Sequence, residues 1–297
     1  MRRAGGARIA RILLIGRGVF GALAQQELER RGHVVHAVSR ASGVDARSAT
    51  SVTRALDHTD ADVVLHTAGP FQDQLAAAAR AAAGRGVPYV DISDDRPFCA
   101  DVRATQGSVP LLTGMSTTPA LVGALAVIVR RADAASPLVG AMYVGGANRQ
   151  GPATMAFAAQ ARADGAPTVV DFPGIGRRRA FPSRAFFDGA FYVAVGGLAG
   201  MGWRFRPLVR HAARLGAIVP RLGRDTAGAL VVRAGAHREA LYARERGQRL
   251  AVLPAVWALE EALAGRAPKR AALPHEWVDP DTLVTFLVES GSSRVGA

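Results

Sequence analysis

The chain has 297 residues, of which 49% are hydrophobic and 21% charged. That is apolar material for a sizeable core shared between two domains, and no uncharged apolar run reaches the ~18 residues of a membrane span. The net charge of +13 rests on 36 arginines and one lysine, Lys269. It is concentrated between Phe172 and Leu250, where 15 arginines face four acids. With Cys99 as the one cysteine, an intrachain disulfide is excluded and a reducing cytoplasm is the expected compartment. The apolar run of Ile12, Leu13, Leu14 and Ile15 is too short for a secretory leader.

In chain order, β-branched runs at 8–15, 33–39, 61–67, 87–93 and 109–113 predict strands, with a short sixth at 44–46. Alanine-rich segments at 19–31, 49–58 and 72–83 predict the helices between them. This alternation is that of an α/β, Rossmann-type, doubly wound parallel sheet. Past residue 120 the rhythm changes to a helix at 119–131, strands at 138–144, 168–172 and 178–181, and a hairpin of 230–233 with 238–243 across Gly235. A basic amphipathic helix at 203–214 and a helix at 249–264 follow. A last helix is capped by Asp279, opened by Pro280 and ended by Gly291. The expected division is therefore a dinucleotide-binding domain over 1–122 and a smaller α+β substrate domain over 123–297. Helices at about 250–290 are free in this reading to pack back on the first domain.

The first strand runs directly into Gly16-Arg17-Gly18-Val19-Phe20-Gly21 and then a helix. G-x-G-x-x-G alone is a weak signal in a chain with 33 glycines. Between a strand and a helix it is strong: the first glycine makes the tight turn, the second lets a pyrophosphate approach the backbone, and the third lets helix and strand pack. At the end of the second strand, where an NAD-binding domain usually carries an acid, the chain has Ser39 and Arg40. An acid would repel a 2′-phosphate, whereas serine and arginine bind one, so NADP(H) is the expected cofactor. Asp45 either approaches the adenine or is an exposed loop acid.

Further motifs are His66-Thr67-Ala68-Gly69-Pro70-Phe71 after the 61–67 strand, Tyr89-Val90-Asp91-Ile92-Ser93, and Thr113-Gly114-Met115-Ser116-Thr117-Thr118-Pro119. Through these three, in this order, the first 120 residues resemble the saccharopine dehydrogenase family, in its broad group of NADP-binding oxidoreductases. The remainder resembles it loosely, through the run from Gly145 to Arg149 with Gly151. The resemblance implies that Ala68, Gly69, Pro70 and Phe71 line the ribose and nicotinamide side of the cofactor, and Thr67 just before them is a further candidate for cofactor binding. It also implies hydride transfer to or from a C=N, C=C or C=O bond, with trans-acting enoyl reduction of acyl or polyketide chains among the activities of the group. Two departures matter. Lysine-pathway members use lysine and histidine for proton transfer, and Lys269 lies in a polar loop; the second domain is also short. Saccharopine itself is not the expected substrate.

For proton transfer the carboxyl end of the sheet offers Asp91, Ser93, Asp94, Asp95 and Ser116 to Thr118. Asp91 is either a catalytic carboxyl or an acceptor for backbone N–H groups. Ser116 is either catalytic or a helix cap. Asn148 and Arg149 either anchor a carboxylate or phosphate of the substrate or form a solvated turn. His66 lines the cofactor pocket or packs in the core. The seven histidines have no metal-ligand spacing, so no metal is expected. The basic second half is a solvated surface, a site for an acidic or carrier-bound substrate, or a peripheral membrane contact through 203–224. Nucleic acid is disfavoured because the arginines lack interleaved aromatics. A small-molecule or acyl-carrier-bound substrate and a homodimer fit the sequence. The rival reading is a non-catalytic NADP-binding module on a membrane or protein partner, motivated by the lack of a compelling acid–base pair.

Overall fold

The computed structural model describes residues 9–149, 168–183, 191–195 and 225–296. The expected basic helix 203–214, the wider 203–224 segment and Gly151 lie outside the described residues. In chain order the elements are β1 (Arg11–Ile15), α1 (Val19–Arg30), β2 (Val34–Val38), α2 (Ala49–Thr59), β3 (Val63–His66), α3 (Ala77–Gly84), β4 (Tyr89–Asp91), α4 (Arg96–Arg103) and β5 (Leu111–Leu112). Then come α5 (Gly123–Ala132), β6 (Leu138–Val144), β7 (Thr168–Phe172), β8 (Gly176–Ser183), β9 (Phe191–Val195), β10 (Gly228–Ala234) and β11 (His237–Ala243). The chain closes with α6 (Leu253–Leu263), β12 (Ala271–Ala272), α7 (Pro280–Glu289) and β13 (Ser293–Gly296). Two compact units result: Met1–Ala120 with Ala251–Val278, and Leu121–Leu250 with Asp279–Ala297.

The first unit holds six strands in the order β12-β5-β4-β3-β1-β2, and every pair is parallel. This is the expected doubly wound Rossmann-type sheet. Ile12, Leu13, Leu14 and Ile15 of β1 and Val63, Val64 and Leu65 of β3 are buried, as interior strands of a sheet covered on both faces must be. Each such side chain contributes about 1.5–3 kcal/mol of transfer free energy. Strand order reverses between β1 and β3, and the carboxyl ends of strands at such a switch point are where open parallel sheets bind ligands. α6 packs against α1, β3 and β4, and Trp257 stacks on Trp277 with ring centroids 5.1 Å apart.

Several elements depart from the sequence expectation. No strand forms at 44–46: Gly43 turns left-handed at φ 83°, and the Asp45 carboxylate takes the backbone N–H of Arg47, so the segment spends its hydrogen bonds on a turn. The helix expected from Gln72 starts at Ala77, because the chain first makes a tight 3₁₀ turn over Phe71–Asp73. The helix expected from Arg249 starts at Leu253, with Pro254 in its first turn where its missing N–H costs nothing. Before α5 the chain makes wide π-type turns over Thr117–Val122 around Pro119, which has no N–H for an α ladder. α4, absent from the sequence reading, is capped by Asp95, whose carboxylate accepts from Phe98 N at 3.0 Å.

The second unit is built on a mixed seven-strand sheet, β13-β11-β10-β6-β9-β8-β7. α5 covers β10 and β11, and α7 packs on α5. The β10–β11 hairpin forms in full register, with Gly235 at φ 55° in its turn. Asp279 caps α7 through Thr282 N at 2.8 Å. This is the α+β domain type expected from the sequence, but it is not the smaller one: with Ala251–Val278 belonging to the first unit, it has 149 residues against 148.

Candidate functional site

The glycine loop leaves β1 at the switch point. Gly16 N–H donates to the Val38 carbonyl at 2.8 Å, tying the loop to the end of β2. Gly16 lies at φ 117°, and a Cβ there would stand 2.7 Å from both Ala68 N and Thr67 Oγ1. A Cβ on Gly21 would fall inside contact distance of the Gly16 carbonyl oxygen and 2.8 Å from its carbonyl carbon. Both positions therefore demand glycine. Gly18 is different: a Cβ there would meet nothing within 4 Å. Its lack of a side chain answers no crowding within the protein and leaves backbone open to the outside.

Gly18 is also the N-cap of α1, in extended conformation. No side chain caps the helix and no acid stands in its first turn. The first-turn N–H groups, at Val19, Phe20 and Gly21, have no intrahelical acceptor and carry the positive end of the helix dipole. Arg17 and Gly18 are exposed beside them. Thr67 holds the loop from behind, its hydroxyl directed to the carbonyls of Ile15 and Gly16, each at 3.3 Å. Its role is thus to brace the cradle from within.

After β2 the chain forms a 3₁₀ turn over Arg40–Ser42. Ser39 N–H donates to Ser42 Oγ at 2.8 Å, and the Ser42 hydroxyl donates to the Ser39 carbonyl at 2.9 Å. Arg40 is exposed and forms no direct ion pair among the described residues, its nearest acidic influence being Asp45 at longer range. Asp45 is engaged by the guanidinium of Arg47 at 3.1 and 2.8 Å, and this pairing holds its carboxyl down at about 2. Its oxygens are therefore taken up within the loop.

On the other side of the switch point, β3 ends in His66 and the turn Thr67-Ala68-Gly69-Pro70-Phe71. Gln74 holds this turn by donating to the carbonyls of Ala68 at 2.5 Å and Pro70 at 2.8 Å. Nothing in the sequence marked Gln74, since its role depends on a turn that only the fold reveals. Phe71 is buried against His66 and Phe98, with ring centroids 5.0 and 4.9 Å away. His66 is itself fully buried. Its Nδ1 lies 2.8 Å from the Tyr89 hydroxyl, and burial pushes its pKa down to about 4 against a weaker pull from the Ala68 backbone. It is a neutral packing residue under the turn.

Asp91, at the end of β4, is fully buried. Its Oδ1 accepts from Ser93 N at 2.9 Å, Gly114 N at 3.0 Å and Thr113 Oγ1 at 3.0 Å. Burial raises its pKa to about 6, against the opposing pull of these bonds. Of the two roles open to it in the sequence, the geometry fits the acceptor that locks the ends of β4 and β5 together. Ser116 is buried; its N–H donates to the Gly114 carbonyl at 2.9 Å and its carbonyl accepts from Ala120 N at 3.2 Å, so it opens the helical run into α5.

Asn148 does not sit in the solvated turn that is one of its two expected settings. It lies in the second unit, buried, with Nδ2 donating to the carbonyls of Gly145 at 2.9 Å and Ala227 at 3.3 Å. Its amide Nδ2 thus cross-braces the chain after β6 to the residues before β10. Arg149 beside it is exposed, and its carbonyl accepts from Gln248 Nε2 at 2.6 Å. Among the described residues no cluster of His, Cys, Asp and Glu is placed to hold a metal ion, and no helix is long and apolar enough to cross a membrane.

No family model matches the chain, and no curated protein matches it. Among solved structures it is similar to the amine dehydrogenase of Mycobacterium smegmatis, at 11% identity over 90% of this chain and 95% of that one, with a TM-score of 0.49. It is similar to the WlbA dehydrogenase of Bordetella pertussis in complex with NADH and UDP-GlcNAcA, at 10% identity over 98% and 99%, with a TM-score of 0.41. A third is an inositol dehydrogenase homolog of Azotobacter vinelandii complexed with NADH and myo-inositol, at 8% identity over 98% of both chains, with a TM-score of 0.38. At 8–11% identity few side chains are shared with any of them.

Proposed function

We propose that the chain is a nicotinamide-dinucleotide-dependent oxidoreductase that prefers NADP(H). One observation carries the reading. Two glycines cannot bear a Cβ because the protein itself fills the space, while between them Gly18 is open to solvent at a helix start with neither cap nor acid. A pyrophosphate fits that cradle: the bare backbone admits it, and the first-turn N–H groups of α1 supply hydrogen bonds and a favourable dipole. Gly16 to Gly21 hold the pyrophosphate. Arg40, which acts on Asp45 only at longer range and forms no direct ion pair among the described residues, neutralises a 2′-phosphate on the adenosine side. Ala68, Gly69, Pro70 and Phe71 flank the other half, kept in shape by Gln74.

A bound nicotinamide supplies hydride for a C=N, C=C or C=O bond. The protein's part is to orient it and to keep the buried His66 neutral beneath it. Within this class the saccharopine-dehydrogenase-like group, including enoyl reduction on a carrier-bound chain, is the finer reading, supported by the Ala68-Gly69-Pro70-Phe71 turn. The test is isothermal titration of nucleotide-free protein with NADPH and NADH, followed by NADPH oxidation in the presence of imine, enoyl-thioester and ketone substrates. Micromolar binding that favours NADPH, with turnover on one substrate class, supports the reading. Absence of heat with either dinucleotide overturns it, and tight binding without turnover on any class points to the non-catalytic module.

A further inference from the structure

The loop between β4 and α4 carries four polar residues at the carboxyl edge of the sheet, and three are consumed by the fold. Asp91 locks to Ser93 N, Thr113 and Gly114. Ser93 Oγ accepts from Asp95 N at 3.1 Å, and Asp95 caps α4. Asp94, between them, is half-buried and has no side-chain partner among the described residues; burial, its own backbone N–H and the neighbouring Asp95 are what act on it. A rigidly held loop thus presents one uncommitted carboxyl group where β4 ends.

A dinucleotide laid across the β1/β3 switch point places its adenosine half toward β2 and its nicotinamide half over the ends of β3, β4 and β5. The loop holding Asp94 belongs to the second half. Resting on the dinucleotide reading above, we propose that Asp94 lies against the nicotinamide ring and is the group that gives the substrate its proton. In the reductive direction a C–H bond forms at the substrate carbon with the hydride pair. The π pair of the C=N or C=O bond moves to the heteroatom, and Asp94 O–H gives that atom its proton. What remains is a carboxylate beside a positively charged ring.

The charge balance of the loop suits this cycle. Burial and the neighbouring Asp95 hold Asp94 up at about 6, so near neutrality it passes readily between acid and carboxylate. The titratable groups around it are Asp95 on the loop, Cys99 on α4, whose thiol burial holds at about 12, and Asp91 on β4. Arg96 is the nearest cation in sequence. Asp91 is also raised to about 6, but it is fully buried with its Oδ1 bonded three times, so the test must separate the two.

The experiment needs no substrate. An oxidised ring about 5 Å away at an effective dielectric of about 20 depresses a carboxyl pKa by about two units, whereas the uncharged reduced ring does not. Binding of NADP+ to the nucleotide-free full chain, measured by calorimetry in two buffers of different ionisation enthalpy, is therefore expected to release about 0.8 proton more at pH 5 than binding of NADPH, the proton displaced from the 2′-phosphate being common to both. The affinity for NADP+ should weaken roughly tenfold relative to that for NADPH from pH 7 to pH 5. In Asp94→Asn this difference between the redox forms should vanish while NADPH still binds at pH 7.5, and Asp94→Glu should restore it. Carboxyl-carbon NMR of the wild-type protein gives a second reading, in which the Asp94 resonance titrates about two units lower with NADP+ present. A difference between the redox forms that persists in Asp94→Asn, or equal release by the two forms in the wild type, overturns the proposal while leaving the dinucleotide site intact. Absence of binding by either form overturns both.

Discussion

Alanine at Gly21 and alanine at Gly18 are the same chemical change three residues apart, and the geometry predicts opposite failures. At Gly21 the new Cβ would overlap the Gly16 carbonyl oxygen and come within 2.8 Å of the carbonyl carbon and 3.0 Å of Thr67 Oγ1. Two of these three atoms are backbone, so no rotamer change relieves the clash, and α1 must lift from β1 by about 1 Å. Ala24 and Leu28, both fully buried on α1, then lose part of their contacts, since a gap of that size forfeits a quarter to a half of the dispersion well. Overpacking of this kind costs about 1–3 kcal/mol, which lowers the melting temperature of the first unit by about 3–10 °C. Gly18→Ala adds a methyl into open space at φ −74°, a conformation alanine accepts. Its melting temperature should stay within about 2 °C of wild type, while NADPH affinity falls tenfold or more because the methyl occupies the pyrophosphate's approach. Differential scanning calorimetry of the free proteins and titration calorimetry with NADPH measure the two effects separately. A Gly21→Ala protein that melts with wild type, or a Gly18→Ala protein that binds like wild type, refutes the assignment of these glycines.

Arg40→Ala should weaken NADPH binding about 10–150-fold, the worth of a charge-assisted contact, and leave NADH unchanged; parallel titrations with the two dinucleotides decide it. Thr67→Val keeps the volume but loses the hydroxyl bonds to Ile15 and Gly16, at an expected cost of about 1–2 kcal/mol in chemical denaturation and a weaker NADPH complex. His66 has a folded pKa of about 4 against an ordinary 6.5, so the unfolded chain takes the proton first. Its contribution, about 3 kcal/mol, is complete above pH 6.5 and is lost as pH falls toward 4. His66→Gln should therefore lose less stability than wild type on acidification from pH 6.5 to 4, as read from melting temperatures; an equal loss would contradict the buried neutral state. Asp91 acts with the opposite sign over nearly the same window. With a folded pKa of about 6 against 3.8, its contribution is complete below pH 3.8 and fades as pH rises through 6, so it partly offsets the histidine in wild type.

The first βαβ unit was legible because strand, glycine spacing and helix are local and mutually consistent, and β1, α1 and β2 start or stop within three residues of the expected bounds. The 44–46 segment is ambiguous in sequence because three residues between a left-handed glycine and a helix cap hold too little periodicity to distinguish a strand from a turn. β12 is two alanines whose strand character comes wholly from pairing with β5, which no propensity announces. α4 carries its signals in Asp95 and Pro97, a capping acid followed by a first-turn proline, but over only eight residues. At the site, Gly16, Gly18 and Gly21 were legible from their spacing. The distinction between Asp91 and Asp94 was not, because it depends on which carboxylate the Ser93, Thr113 and Gly114 groups consume, and those contacts join β4 to β5. The bracing bonds of Asn148 are hidden in the sequence for the same reason: its acceptors at Gly145 and Ala227 are distant from each other along the chain.

The sheet that carries the glycine loop is finished by residues that leave the ribosome late. α6 is buried along most of its length, and with β12 it covers or extends β3, β4 and β5. A nascent chain that has emerged only as far as Leu250 thus has the complete phosphate cradle but a naked flank. Synthesis of the intervening 130 residues proceeds while that flank waits for its lid. Dinucleotide present during translation would be expected to hold the early strands together through that interval, and chains cut before α6 should be captured by chaperones in proportion to how long they lack it.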